Sequence, residues 1–218
     1  MLTVTRILLV DDHDLVRSGL RRLLADFPDL NVVGEAVSGE DAFRLCRELT
    51  PDLVLMDIKM PGIGGLEATR KIATHYPQIK VIVVSALDDE MYASRLLQAG
   101  AVGYVVKGAP FEDMVKAIHK VMLGQRYLSP MVAEQLALRQ FDRHENSPFD
   151  RLSERELQIA LMVVNCQRVQ EISERLSLSS KTVNSYRYRM FEKLGIESDV
   201  ELTHLAIKHG MIESQRVG

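Results

Sequence analysis

Five polar residues in the first half of the chain each follow a short apolar run rich in Val, Ile and Leu. They are Asp11, Asp12, Asp57, Ser85 and Lys107. Runs of this kind are typical of strands buried on both faces of a parallel sheet. Because ligands of such sheets bind at the carboxyl ends of the strands, the sequence predicts that three acids, a hydroxyl and an ammonium meet at one edge.

These residue types favour a metal-assisted phosphoryl site. Neighbouring carboxylates repel unless a cation neutralises them, and such hard oxygen ligands suit Mg²⁺. A carboxylate can also accept a phosphoryl group as an acyl phosphate. Asp57 is the candidate acceptor, since the adjacent Asp11 and Asp12 are better placed to hold the metal. Lys107 would offset charge on the phosphoryl oxygens, and the Ser85 hydroxyl would donate to one of them.

A simpler explanation is that the aspartates at the strand ends only cap the helices that follow. One such residue alone would fit that explanation. Five of them, delivered by four separate strands, make a coincidence a poor explanation. The set as a whole therefore predicts a site.

The elements that would position this site alternate between strand and helix. Strands are predicted near 6–10, 31–36, 53–57, 81–85 and 103–107, and amphipathic helices at 15–27, 39–49, 66–75, 90–99 and 111–122. Such alternation implies right-handed crossovers and a parallel sheet. The predicted fold is α/β, a five-stranded doubly wound parallel sheet followed by a smaller all-α domain.

Composition places further bounds on the chain. It has 218 residues, 46% of them hydrophobic, and a formal net charge of −3, which gives no overall indication of nucleic-acid binding. Cys46 and Cys166 lie far apart, which favours a reduced cytoplasmic protein. No signal peptide is expected, and no apolar stretch approaches the roughly 20 residues that span a bilayer. We expect a soluble protein without membrane contact.

Two domains and a linker are predicted. Residues 1–124 form the α/β domain. Residues 125–148 form a linker with a short helix at 131–140 and a polar segment that ends in Pro148, as is typical of a connection between domains. Residues 149–218 form the second domain.

The second domain is predicted to contain four helices. Ser153 and Glu156 make a capping box for the first. A second helix spans 169–176, a turn follows at 177–179, and a third helix spans 181–194 before Gly195. The last helix spans 200–209 and ends at Gly210. A short helix, a tight turn and a longer helix is the helix-turn-helix plan, whose second helix enters the DNA major groove.

The third helix carries a local excess of positive charge. Its cations are Lys181, Arg187, Arg189 and Lys193, and its exposed polar residues are Asn184, Ser185 and Tyr188. Lys and Arg neutralise phosphates, whereas Asn and Ser can hydrogen-bond to base edges. A solvated amphipathic helix is the alternative, and the helix-turn-helix context favours double-stranded DNA.

Segments 10–13, 55–62 and 103–107 resemble the signature segments of bacterial response-regulator receiver domains. This resemblance implies phosphorylation of Asp57 by a sensor histidine kinase or its phosphotransfer domain. It also implies that Asp12, Asp57 and the backbone carbonyl of Lys59 hold Mg²⁺, with Asp11 in support. Ser85 and Tyr104, together with Lys107, would form the switch that responds to phosphorylation.

Segments 152–156, 171–173 and 181–184 resemble the DNA-binding domains of the LuxR/NarL/FixJ class, over residues 150–210. The resemblance adds Thr182 to the DNA-binding candidates. It implies a homodimer in the active state, formed through the last helix at Val200, Leu202, Leu205 and Ala206. The class often has Gly where Cys166 stands, so an altered turn is expected there.

Segments 60–71 and 182–191 carry a narrower resemblance: taken whole, the chain resembles the GacA/UvrY type of regulator within that class. The resemblance implies a multidomain sensor kinase as partner, and promoters of small regulatory RNAs as targets.

The predicted function is a transcription regulator switched by phosphorylation, whose only catalysis is its own phosphorylation and dephosphorylation. A phosphatase that works through an aspartyl-phosphate is one alternative, although Lys59 stands where a second acid would be useful. A nucleotide-binding domain is another, but no glycine-rich phosphate loop follows the first strand. The third is an adaptor that binds proteins rather than DNA.

Overall fold

The computed structural model describes residues 4–86, 93–141, 147–176, 178–209 and 211. The chain divides into two compact units, Met1–Arg143 and His144–Gly218. Some predicted features lie outside the described residues: the start of the helix at 90–99, most of the polar segment of the linker, at 142–146, Ser177 and Gly210. Among the helices that are described, none is long and apolar enough to cross a membrane.

The first unit is a parallel sheet with helices on both faces. Its strands are β1 Thr5–Val10, β2 Leu30–Ala36, β3 Leu53–Asp57, β4 Lys80–Ser85, β5 Gly103–Val106 and β6 Tyr127–Leu128. Their order across the sheet is β2-β1-β3-β4-β5-β6, and every pair is parallel. The predicted parallel sheet is therefore confirmed, and a strand of two residues extends it from five strands to six.

Alternate residues of the strands face two separate cores. Ile7 and Leu9 of β1 belong to the core that includes residues of α1, Asp14–Leu24, and α5, Phe111–Met122. Leu8 and Val10 belong to the core that includes residues of α2, Gly39–Leu49, and α3, Gly64–His75. Because both faces are covered, the strands read as continuous apolar runs.

Two further helices complete this unit, α4 at Ala93–Gln98 and α6 at Pro130–Phe141. The segment before α6 is tied to the sheet, because Ser129 N donates to the Tyr104 carbonyl at 2.9 Å and Ser129 Oγ accepts from Val106 N at 3.2 Å. Residues 125–141, predicted as a linker, thus belong to the first unit.

In the second unit, the described residues form helices joined by turns, with no strand among them. A 3-10 turn at Pro148–Arg151 precedes α7 Glu154–Val164, α8 Val169–Arg175, α9 Ser180–Leu194 and α10 Asp199–Lys208. The capping box of Ser153 and Glu156 is present as predicted. Ser179 caps α9, and Gly195 ends it in the left-handed conformation.

The turn after α7 keeps the conformation that usually requires glycine. Cys166 has φ +59°, its N–H bonds to the Val163 carbonyl, and the Gln167 N–H bonds to the Met162 carbonyl. These two bonds define a Schellman motif. The turn is therefore not altered in shape as expected. Cys166 instead adopts the left-handed conformation, which costs an L-residue about 1–2 kcal/mol.

Candidate functional site

The strands bring the predicted chemical residues to one edge of the sheet. Asp11 follows β1, Asp57 ends β3, Ser85 ends β4 and Lys107 follows β5. Strands β1, β3, β4 and β5 are consecutive in the sheet. Asp57 pairs in register with Val84, the residue before Ser85, so these two side chains lie at neighbouring strand ends.

Lys107 connects two of the acids. Its Nζ lies 2.8 Å from Asp11 Oδ2 and 3.0 Å from Asp57 Oδ1. Both carboxylates are about 5% exposed or less, so this cation stabilises two charges that are largely removed from water. Burial alone would lower the pKa of Lys107, but the charge of Asp57 and the hydrogen bonds to Asp11 and Asp57 leave this pKa raised.

Asp57 is held in a low-dielectric environment. Burial, opposed by Lys107 and reinforced by Asp11, raises the pKa of Asp57 to about 6. Its Oδ1 also accepts from Ile58 N at 2.8 Å. Near pH 7 the carboxylate is therefore mainly ionised, as a nucleophile must be.

His13 is a residue whose contacts the sequence did not reveal. It is the N-cap residue of α1, and its Nδ1 lies 3.0 Å from oxygens of both Asp11 and Asp12. The hydrogen bond to Asp11 and the charge of Asp12 raise the pKa of His13. In its protonated form the imidazole would offset part of the negative charge of the two acids.

The acids fit a divalent cation. Ligand atoms of Asp11, Asp12, His13 and Asp57 all lie within 4.8 Å of one another. Three carboxylates make a hard oxygen set, which suits Mg²⁺ better than softer metals. Lys59 lies two residues beyond Asp57 on the way to α3, and its carbonyl as a further ligand stays a prediction.

The predicted switch residues are both buried. Ser85 and Tyr104 have no exposed surface, and Tyr104 pairs with Val83 across β4 and β5. Tyr104 therefore lies in the interior before any phosphorylation. A movement of Ser85 would therefore change how this ring packs, and the switch role of the two residues stays a prediction.

Close packing fixes the loop that follows Asp57. A Cβ on Gly65 would collide with the Asp57 carbonyl oxygen, so only glycine fits there. The Glu40 carboxylate accepts from Ile63 N at 3.0 Å. Glu40 was not a candidate, because no local pattern connects a residue of α2 with this loop.

The predicted DNA-binding residues all lie on α9. Val183 and Met190 are fully buried against the core of the unit. The exposed residues follow helical spacing on the opposite side, and Tyr188 is 75% exposed. The exposed candidates are Lys181, Ser185, Tyr188, Arg189 and Lys193, and the half-buried ones are Thr182, Asn184 and Arg187.

Two of the predicted phosphate-binding cations form ion pairs inside the unit. Arg187 Nη2 lies 2.6 Å from both oxygens of Asp199 at the start of α10. Lys193 Nζ lies 2.6 Å from Glu156 Oε2, and the Glu156 side chain is 3% exposed. These contacts connect α9 with α10 and α7, so both cations stabilise the helical unit.

The predicted dimer surface needs correction. Leu202 and Ala206 are fully buried and cannot contact a second copy, whereas Leu205 is half-buried. The exposed apolar residues of α10 are Val200, at 64%, and Ile207, at 40%. An apolar helical pattern alone does not distinguish the core face from an interface.

Comparison with protein families matches both units. Residues 7–119 match the response regulator receiver domain, and residues 150–206 match the luxR family of bacterial regulatory proteins. Over 210 residues the chain is 60% identical to the response regulator GacA of Pseudomonas aeruginosa, covering 96% of this chain and 98% of the relative. It is 55% identical over 210 residues to the response regulator UvrY of Escherichia coli K12, covering 96% of each.

This chain is a two-component response regulator of the LuxR family. It is a DNA-binding transcription regulator, and its relatives are transcriptional regulators rather than classical enzymes. Among solved structures it is similar to RcsB of Salmonella enterica serovar Typhimurium, bound to a promoter in the presence of the phosphomimetic BeF3⁻. The match has 25% identity and a TM-score of 0.61, and it covers 93% of this chain and 98% of that one.

Replacement of Lys193 by Met tests the internal role of this cation. The change leaves the buried Glu156 carboxylate without its ammonium partner, so we expect the helical unit to lose about 1–3 kcal/mol of unfolding free energy. Hydrogen exchange of the α7 amides in the full chain measures this loss. Lys181→Met, an exposed lysine of the same helix, is the control and should change stability by less than about 0.5 kcal/mol.

The same pair predicts a pH dependence. Burial opposes ionisation of Glu156, but hydrogen bonds from Lys193 and Ser153 outweigh burial and lower the pKa of Glu156 from 4.5. The stability from this pair is therefore complete above pH 4.5 and is lost as the pH falls through the lower folded pKa. Equal losses of unfolding free energy in Lys193→Met and Lys181→Met would contradict this role. So would a stability difference between Lys193→Met and wild type that persists in strong acid.

Proposed function

We propose that Asp57 accepts a phosphoryl group from a sensor histidine kinase or its phosphotransfer domain, and that this promotes dimeric binding to promoters. The observation that carries the proposal is the buried Asp57 carboxylate, whose Oδ1 lies 3.0 Å from Lys107 Nζ. We expect the protein to act in the cytoplasm, where its DNA target lies, and the likeness to GacA and UvrY favours promoters of small regulatory RNAs.

The pocket residues supply positioning and charge for this transfer. An Asp57 oxygen attacks phosphorus while the bond to the donor breaks. The Lys107 ammonium and the Ser85 hydroxyl then donate to the phosphoryl oxygens. Asp12, Asp57 and the Lys59 carbonyl would hold Mg²⁺, with Asp11 in support. When bound, Mg²⁺ offsets the negative charge shared by the acids and the phosphoryl group.

The switch would begin at Lys107 and Ser85. Phosphorylation adds charge and acceptor oxygens at Asp57, which draw these two donors toward the new group. Since Tyr104 is buried next to β4, a shift of Ser85 would change the packing of β4 against β5.

The exposed side of α9 would form the surface that contacts DNA. We propose that Lys181 and Arg189 contact phosphates, and that Asn184, Ser185 and Tyr188 lie nearer the bases. Thr182 would support the first turn of the helix, where its backbone N–H bonds to Ser179 Oγ at 3.0 Å.

Dimer formation through α10 would use its exposed side. Val200 and Ile207 carry the apolar area of that side, with Leu205 at its border. Leu202 and Ala206 would support it from within the core.

Phosphorylation is tested by intact mass after incubation with Mg²⁺ and a small acyl phosphate. Wild type should gain one phosphoryl group, and Asp57→Asn should gain none because an amide is not a nucleophile for this step. Asp26→Asn, a change at an exposed aspartate, is the matched control and should behave as wild type. An equal adduct on Asp57→Asn, or none on wild type, would overturn the assignment.

The DNA surface is tested by the salt dependence of binding. Because phosphate contacts are independent of sequence, a duplex of arbitrary sequence suffices. Lys181→Ala and Arg189→Ala should each weaken binding. Each should also make the plot of log affinity against log salt less steep, reducing the absolute slope by about one. Lys208→Ala removes the same charge from α10 and should keep the wild-type slope. Unchanged slopes in all three variants would favour the adaptor that binds proteins.

A further inference from the structure

Arg17 is a largely buried cation that the proposed phosphoryl chemistry does not use. Only 8% of this residue is exposed, although a charged side chain is rarely buried without a specific purpose. It lies on α1, one turn after the acids of the pocket. The contacts of the guanidinium should therefore explain why it is buried.

The guanidinium contacts residues of three neighbouring segments. Its Nη1 donates to the Asp11 carbonyl at 2.7 Å, in a bond that is itself buried. Its Nε donates to Glu35 Oε2 at 3.2 Å, and Nη2 pairs with Asp14. One planar group thus connects the end of β1 with β2 and with the first turn of α1.

The carbonyl that Arg17 holds belongs to the peptide group between the two acids. The Asp11 carboxylate is already fixed by Lys107 and by His13 N at 2.8 Å. The Asp12 carboxylate is more exposed, at 31%, and lies 3.0 Å from Nδ1 of the exposed His13, so the backbone has a larger share in setting its direction. Fixing the 11–12 peptide plane fixes the backbone from which the Asp12 side chain projects.

We propose that Arg17 is a positioning residue: by holding the Asp11 carbonyl it sets the direction of the Asp12 carboxylate and so the affinity of the pocket for a divalent cation. The inference rests on the Mg²⁺ site proposed above. It adds a residue of α1 that contacts neither the metal nor the phosphoryl group.

Charge alone predicts the opposite sign. A cation close to the acids repels a dication, so its removal would tighten Mg²⁺ binding. Loss of positioning weakens binding instead. Mutation of residues that orient metal ligands typically weakens metal affinity 10- to 100-fold. The two explanations are therefore separated by the direction of the change.

Arg21 provides a matched control on the same helix. It shares the Glu35 carboxylate, with Nη1 3.3 Å from Oε1, and its side chain is 69% exposed. Arg21→Met removes the same charge at the same partner and leaves the bond between Arg17 and the Asp11 carbonyl in place.

The test is calorimetric titration of the full chain with Mg²⁺ alone at constant ionic strength. Arg17→Met should raise the dissociation constant for Mg²⁺ about tenfold or more, while the dissociation constant of Arg21→Met should stay within about twofold of wild type. Arg17→Lys keeps the charge without the planar fork, and should fall between wild type and Arg17→Met. Far-UV circular dichroism and thermal unfolding establish that each variant is folded.

Unchanged or tighter Mg²⁺ binding by Arg17→Met, or equal weakening by Arg21→Met, would overturn the inference. If Arg17→Met does not fold, Arg17→Lys and Glu35→Gln decide by the same criterion, since Glu35→Gln weakens the hold on the guanidinium. No Mg²⁺ binding by wild type would refute both this inference and the metal site. Normal Mg²⁺ binding without a phosphoryl adduct on Asp57 would refute only the proposed phosphorylation.

Discussion

The ion pairs of Lys107 with Asp11 and Asp57 are the interaction on which the acidic pocket at the sheet edge depends. Carboxylates that are buried close together repel each other, and the shared ammonium offsets their negative charge. The lysine is held at the strand end, where Lys107 N bonds to the Ser85 carbonyl. These contacts of Lys107 therefore couple the ends of four strands, β1, β3, β4 and β5, and any new charge on Asp57 would change the electrostatic interactions among them.

The parallel sheet makes this arrangement possible, because its strands end at one edge while their apolar residues fill the cores on either side. The helices then add supports that reach the edge from outside the sheet. Arg17 of α1 holds the Asp11 carbonyl, and Glu40 of α2 holds the loop after Asp57. In the helical unit, Lys193 and Arg187 likewise connect α9 to its neighbours.

Local patterns were sufficient to predict much of this molecule. The apolar runs before Asp11, Asp57, Ser85 and Lys107 identify four strand ends, and the spacing of Ser153 and Glu156 identifies a helix start. Contacts between distant segments were not predictable, because no periodicity marks them: Lys193 and Glu156 are 37 positions apart. Strand β6 is too short to leave a pattern. The first helix ends at Leu24 rather than at 27, since Pro28 disfavours a helical residue before it.

The most direct test of the central claim is the affinity for DNA before and after phosphorylation. Duplexes selected from a random pool by the phosphorylated full-length protein provide the probe, and binding is compared at one fixed salt concentration. The account predicts that phosphorylated wild type binds about 5- to 150-fold more tightly than unphosphorylated wild type, and that Asp57→Asn does not respond to the phosphoryl donor. Equal affinity of the phosphorylated and unphosphorylated protein would contradict it.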